Sequence, residues 1–356
     1  MIIWLLNLIF VFLFSCQSFS YNSGLISGNE LSLFVDEKIH SKVTDLIRGA
    51  NSYIYIEMYE FTNQDIAKEI IEKKKKGVDI KIILEQKVER NGDIKNFLNG
   101  SGVAVRYYPY NKRGINHIKL IIIDGLIAVV GGANLGLHSP VNHDIAVTIK
   151  GPAVKILETV FHDDWDYSKI GGKKIKTQVK NTEISNKNAT GVVQVLTDSD
   201  IGKEIIKHIT LLKKSIDIEM FILTNKDVTE LLIKGQDKKE KIKVRAILEP
   251  AQELNYGTSD KLRAAGVSTK WYPVNMDIEQ KLHMKLGIFD NYIAVLGSSN
   301  WSYQGFEVNH ECNVLIIDNK IVSELTKMYE TDWNKSSVES PFTSYELDLL
   351  FKRNKW

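Results

Sequence analysis

Two short stretches set a histidine and a lysine two residues apart at the edge of an apolar run: "NHIKL" holding His117 and Lys119, and "LHMKL" holding His283 and Lys285. Asn134 follows the first histidine at the same interval at which Asn300 follows the second, and Asp124 and Asp290 repeat in the same way. Histidine occurs only 8 times in 356 residues, so the recurrence of the whole pattern marks a duplication. In a strand, side chains two apart share a face, so each His and Lys project together. Imidazole can attack phosphorus or move a proton near neutral pH. Lysine supplies positive charge for non-bridging oxygens, and asparagine donates a hydrogen bond to them. That set suits a phosphodiester. One cluster alone has nothing to protonate the leaving group, whereas two facing clusters provide a nucleophile and an acid.

The elements that must position these groups follow from the flanking sequence. "KLIIIDGLIAVVGG" predicts a hairpin that dives into the core and returns through a two-residue turn at Asp124-Gly125. That turn would pair Ile123 with Leu126 and set His117 opposite Gly132; the same count sets His283 opposite Ser298, with Asn134 and Asn300 just beyond. A small residue opposite each histidine would leave room for a ligand. Asp124 and Asp290, at the turns, suit local hydrogen bonding more than catalysis. The duplication extends further: "SYIYIEMYEFTN" (52–63) matches "SIDIEMFILTN" (215–225), "VDIKIILEQ" (78–86) matches "IKVRAILEP" (242–250), and "NHD" (142–144) matches "NHE" (309–311). Glu57 and Glu219 fall in matching strands, either near the cleft or in buried ion pairs. A repeat of this length is a whole domain. Each copy alternates strand and helix periods, which argues for an α/β layered fold with a largely parallel sheet. The lysines of "EKKKKG" sit where a helix should end, complementing its dipole in water. His138, His143 and His310 match no common metal spacing and read as structural or supporting groups.

Composition narrows the classes. A hydrophobic content of 44%, 25% charged residues and a net charge of +2 describe an ordinary globular chain and do not advertise a nucleic-acid binder. With two cysteines, Cys16 and Cys312, no disulfide framework is available. The opening "MIIWLLNLIFVFLFSCQSFS" carries an apolar run over residues 2–14, shorter than the ~20 residues of a membrane span. It reads as an export signal, cleaved or kept as an anchor, and "LFSC" resembles a relaxed lipobox that would lipidate Cys16. The body would then be extracytoplasmic. Residues 168–190 lack apolar periodicity and read as a linker. The tail, 336–356, is expected to pack as a closing helix, with a membrane contact as the alternative.

Both motifs match the HxKxxxxD(x)6GxxN signature, and the chain resembles the two-motif members of the phospholipase D superfamily. The resemblance implies a duplicated α/β domain, with two mixed, mostly parallel sheets flanked by helices, a pseudo-twofold axis and one shared site. The expected boundaries are 25–167 for the first repeat and 191–335 for the second. It also implies a covalent phosphohistidine resolved by water or an alcohol, no required metal or other cofactor, and a downstream carboxylate that orients each histidine, a role falling to Asp144 and Glu311. Gly132 departs from the pattern, which has serine there as the second copy has Ser298; the departure would remove a hydroxyl donor from the first cluster and leave the second better able to hold phosphoryl oxygens. The expected activity is hydrolysis or transfer of the headgroup of a membrane phospholipid by a monomer. A cardiolipin synthase-like phosphatidyltransferase, a secreted endonuclease of the same superfamily, and a surface binding protein without catalysis are the alternatives. Nucleic acid is the less favoured partner.

Overall fold

The computed structural model describes residues 20–109, 111–169, 189–236, 242–343, 345–347 and 349. The apolar run 2–14, Cys16 and most of the expected linker lie outside the described residues. In the first half, β1 (Ile26–Val35), α1 (Glu37–Gly49), β2 (Tyr53–Met58), α2 (Gln64–Lys75), β3 (Asp79–Leu84), α3 (Asn91–Gly100) and β4 (Ala104–Tyr107) precede the hairpin β5 (Lys119–Ile123) and β6 (Ile127–Gly131), then β7 (Ile145–Lys150) and α4 (Ala153–Tyr167). The second half repeats the order with β8 (Gly191–Thr197), α5 (Ser199–Thr210), β9 (Ser215–Met220), α6 (Lys226–Gln236), β10 (Lys243–Leu248), α7 (Glu253–Ala264) and β11 (Ser268–Trp271). It continues with β12 (Lys285–Phe289), β13 (Ile293–Gly297), a short α8 (Tyr303–Glu307), β14 (Cys312–Ile317) and α9 (Asn319–Lys335).

The strand order reads the same from either edge towards the middle: β4-β3-β2-β5-β6-β7-β1, then β8-β14-β13-β12-β9-β10-β11. Instead of two separate sheets, β1 and β8 pair antiparallel at Ile26–Val193 and Asn29–Gly191 and join the halves into one fourteen-stranded sheet. The parallel share is smaller than expected. Only β2-β3-β4 and β9-β10-β11 run parallel, because the hairpin and its neighbours must alternate direction.

One face of the sheet carries a core common to both halves. Leu157, Val160 and Phe161 of α4 and Leu325 and Tyr329 of α9 cover Ile122, Val147, Leu286 and Val314. Separate cores lie under α1 and α2 and under α5 and α6. At the lysine-rich end of α2, Lys75 and Lys76 are exposed as expected, Lys75 paired with Glu72 at 2.7 Å, while Lys73 is half-buried and donates from Nζ to the Ala50 carbonyl at 2.9 Å. At the other end Asn63 caps α2 by accepting from the Asp65 and Ile66 amides. The start of the tail pairs with the edge of β11 through Ser337 and Trp271. Among the described residues no helix is long and apolar enough to cross a membrane.

The hairpin register is one residue off the expected one: Ile123 pairs with Ile127 and Phe289 with Ile293. Three residues turn the chain instead of two, led by consecutive left-handed residues, Asp124 and Gly125 in one copy and Asp290 and Asn291 in the other. Asp124 explains why. Its carboxylate accepts from the Asn51, Ser52 and Tyr53 amides at 2.7–2.8 Å, so it ties the turn to the start of β2. Asp290 does the same for Lys214 and Ser215 at 2.7 and 2.9 Å.

Candidate active site

His117 and Lys119 stand at the opening of β5, and His283 and Lys285 at the opening of β12, all almost wholly buried. Asp124 and Asp290 lie at the other ends of those strands, about 20 Å away at ~3.3 Å per residue, out of reach of the histidines. They brace the fold and touch nothing that could react.

The two histidines are held crosswise. His117 Nδ1 lies 2.9 and 3.0 Å from the two carboxylate oxygens of Glu311, which comes from the second half. His283 Nδ1 lies 2.7 Å from Asp144 Oδ2, which comes from the first. The backbone repeats the exchange: the His117 amide donates to the His310 carbonyl, and the His283 amide to the His143 carbonyl, both at 2.8 Å. A carboxylate on Nδ1 fixes that nitrogen as the donor and leaves Nε2 as the reactive atom. Lys119 Nζ donates to the His117 carbonyl at 2.7 Å, and Lys285 Nζ to the His283 carbonyl.

The charges of the two clusters act on one another, as one site requires. Burial, and then Lys285, Lys119 and His117, press the His283 imidazole well below its ordinary range. Burial also lowers His117, though Glu311 opposes it. Burial brings Lys285 down to about 8 and takes Lys119 well below its usual value. The two carboxylates part company. Desolvation raises Asp144 to about 6 despite Lys285. Glu311 overcomes its desolvation through His117, Lys119 and the Ser298 hydroxyl, and stays low.

Gly132 and Ser298 do not open room for a ligand; they accommodate the carboxylates. Ser298 Oγ donates to Glu311 at 2.5 Å, so its hydroxyl is engaged there and not with phosphoryl oxygens. In the first half a Cβ on residue 132 would meet Asp144 Oδ1 at 2.3 Å. Aspartate is one methylene shorter than glutamate, so its carboxylate sits back against the chain, where only glycine leaves space. Gly132 with Asp144 and Ser298 with Glu311 are thus two solutions to one packing problem, and the expected advantage of the second cluster through a free hydroxyl does not hold. Asn134 and Asn300 end the hairpins, each with a buried Oδ1 that has no partner among the described residues.

Several contributors escaped the sequence reading. Tyr59 packs on His117 at 5.0 Å and Phe221 on His283 at 4.9 Å, each also facing the neighbouring lysine at 5.0 Å. Glu85 accepts from the Asn116 amide at 2.5 Å and Glu249 from the Leu282 amide at 2.6 Å, which sets the backbone just ahead of each histidine. Their signal was present: an aromatic residue directly after "IEM" and a glutamate after "IL" recur in both copies. Glu57 and Glu219 belong to buried polar clusters. Glu57 accepts from Asn116 Nδ2 at 2.8 Å, and Glu219 lies 3.5 Å from His143 Nε2. His138 is exposed on its loop. Ligand atoms of His143, Glu219 and Asp332, and of His310, Glu57 and Asp164, lie close enough together to hold an ion. In each group, however, both imidazole nitrogens already face carboxylates, and Lys335 bonds Asp332 at 2.7 Å.

A family model described as "Cardiolipin synthase, PLD-like domain" matches residues 43–165 and 205–333, one match in each half. Cardiolipin synthase 1 of Staphylococcus aureus (strain MRSA252) is 26% identical over 93% of this chain and 73% of its own length. Cardiolipin synthase 2 of Staphylococcus epidermidis (strain ATCC 12228) is 25% identical over 94% of this chain and 75% of its own. Among solved structures, phosphatidylserine synthase of Haemophilus influenzae superposes with a TM-score of 0.69 at 14% identity, covering 93% of this chain and 91% of that one, a likeness of fold.

Proposed function

The chain belongs to the phospholipase D-like family, and on that premise we propose that it moves the phosphatidyl group of a membrane phospholipid to an alcohol or to water through a phosphohistidine on His117. The observation that carries the reading is the crosswise exchange of carboxylates, which leaves two Nε2 atoms for one substrate phosphorus. In the first step His117 Nε2 attacks phosphorus, the P–O bond to the leaving alcohol breaks, and a proton from His283 Nε2 goes to the departing oxygen. In the second step His283 takes a proton from the incoming alcohol or water, whose oxygen attacks phosphorus as the P–N bond breaks. Lys119 and Lys285, with the Asn134 and Asn300 amides, face the charge that develops on the non-bridging oxygens.

The unequal carboxylates favour this division. A firmly anionic Glu311 behind His117 makes it the stronger nucleophile, while Asp144, raised to about 6, supports the more acidic partner, His283. Burial of all four His and Lys side chains favours an alcohol that arrives on a substrate over bulk water, which supports transfer as the main outcome. Apolar side chains near the site suit a lipid: Leu137 and Tyr303, three residues beyond Asn134 and Asn300, and Met276 and Ile278 ahead of His283 are all exposed. Lys112, Arg113 and Lys281 on the neighbouring loops are exposed and suit an anionic surface. Export or anchoring through residues 1–20, including Cys16, belongs to the same reading and is tested by fractionating cells that express the Cys16→Ser chain.

The test is incubation of residues 21–356 with phosphatidylglycerol vesicles and a primary alcohol, in the presence of a chelator, with duplex DNA as a separate arm. New phosphatidyl-alcohol or a diphosphatidyl lipid supports transfer, and phosphatidic acid alone supports hydrolysis. Nicked DNA with unchanged lipid would overturn the lipid assignment.

A further inference from the structure

Beside each carboxylate that grips a histidine stands a second, buried histidine that the reaction leaves unused. His143 precedes Asp144, and His310 precedes Glu311. His143 Nδ1 lies 2.9 Å from Asp36 Oδ1, and its Nε2 lies 3.1 Å from Asp332 Oδ2 and 3.5 Å from Glu219. His310 Nδ1 lies 2.8 Å from Asp198 Oδ1 and its Nε2 2.8 Å from Asp164 Oδ2. An aromatic ring lies flat on each imidazole, Tyr272 at 4.7 Å and Tyr108 at 4.8 Å.

Two details tie these rings to the site. Asp36 Oδ1, which accepts from His143, also accepts from the Asp144 amide at 3.1 Å, and Asp198 Oδ1 likewise holds the Glu311 amide at 3.1 Å. Both aspartates adopt the same backbone of positive φ, with φ of 56° and 51° and ψ of −133°, which L residues rarely adopt. Strain repeated at equivalent places means that the surrounding contacts enforce it. The second bond of each ring crosses between halves: His143 reaches α9 and β9, and His310 reaches α4.

We propose that His143 and His310 are positioning residues, a pair of latches that each lock the adjacent carboxylate onto the histidine of the opposite half only when the two halves are docked. The inference rests on the assignment of His117 and His283 above. Each ring donates from both nitrogens to carboxylates, so each is an imidazolium. The groups facing His143 are Asp36 ahead of α1, Asp144, Glu219 on β9, Asp332 and Lys335 on α9, and Tyr272. Those facing His310 are Asp198 ahead of α5, Glu311, Asp164 on α4, Glu57 on β2, and Tyr108. Burial works against charge on His143, but the hydrogen bonds it donates to Asp332, Asp36 and Glu219 together outweigh that burial and carry it well above its ordinary range. Desolvation raises Asp144, and the charge on His143 offsets part of that rise beside Lys285 and Lys119.

The test begins with the unaltered full chain labelled with 15N at histidine. Two histidines should show both ring nitrogens protonated from pH 6 to 9, and the His143→Gln and His310→Gln variants should each remove one such signal. In phosphodiester turnover His143→Gln should lower kcat about 10-fold to 100-fold, less than loss of a general acid or base itself. It should also move the acid limb of kcat/KM to higher pH, because Asp144 loses a neighbouring cation. His162→Gln, half-buried on α4 beside Tyr55 and bonded to neither carboxylate pair, should do neither. Neutral imidazole signals at pH 7, or a His143→Gln enzyme with a lower Tm but an unmoved acid limb, would overturn the latch. An unaltered chain with no phosphodiester turnover would instead overturn the assignment of function, while the nitrogen signals still decide the charge of the rings.

Discussion

Glu311 accepts from His117 across the junction of the two halves, with Nδ1 at 2.9 Å, while Asp144 serves His283 at 2.7 Å in the opposite sense. Neither His117 nor His283 finds its carboxylate within its own half. Glu311→Gln keeps an oxygen within reach of Nδ1 but removes the charge, so His117 becomes a poorer nucleophile. Turnover should fall about 10²-fold or more with little change in KM, as measured on a soluble phosphodiester.

Gly132 gives a second prediction. Gly132→Ser places a Cβ where Asp144 Oδ1 stands, at 2.3 Å, and should disturb the His283 pair. Adding Asp144→Glu recreates the Ser298–Glu311 arrangement and should recover most of the lost kcat. A double-mutant cycle with a large favourable coupling supports the packing account, and simple additivity contradicts it.

The repeat, the order of strands and helices and the two HxK pairs were legible in the chain because they depend on spacing, whereas the sheet is less parallel than expected and the amides held by the turn aspartates lie about 70 residues away. The crossing was not legible. A sequence places Asp144 and Glu311 downstream of their own histidines, and only the docking of β7 and β14 against the opposite half decides which ring each one reaches. The one-residue register difference has a local cause: Asp124 and Asp290 act as clamps on the strands before them, which takes a longer turn than hairpin twist alone would select. Glu85 and Glu249 were visible as a repeated letter but had no evident partner, since the amides they hold lie far along the chain.

The pH dependence of kcat/KM should be bell-shaped. On the acid side activity is lost as Asp144 protonates near pH 6 and can no longer accept from His283. On the alkaline side it falls as His283 Nε2 and then the two lysines, Lys285 at about 8, give up their protons, all drawn down by burial. A bound phosphodiester anion favours the charged lysine, so the alkaline limb of kcat should lie above that of kcat/KM. An alkaline limb of kcat at or below that of kcat/KM would contradict the assignment.

Asp124 and Asp290 should matter for stability and not for chemistry. Asp124→Ala leaves three backbone amides without their acceptor and should cost about 1–3 kcal/mol of unfolding free energy. The kcat of the folded fraction should be unchanged. Denaturant unfolding and active-site titration separate the two effects, and a loss of kcat at full folding would contradict a purely structural role.

The central claim, one site with divided labour between two halves, is tested most directly by trapping the covalent intermediate. With a nitrophenyl phosphodiester the leaving group needs no proton, so the first step proceeds without an acid. His283→Ala should therefore accumulate a phosphoenzyme labelled at His117, and His117→Ala should accumulate none. Label on His283 in the His117→Ala protein would reverse the assignment, and near-normal turnover by both single variants would contradict the shared two-histidine site itself.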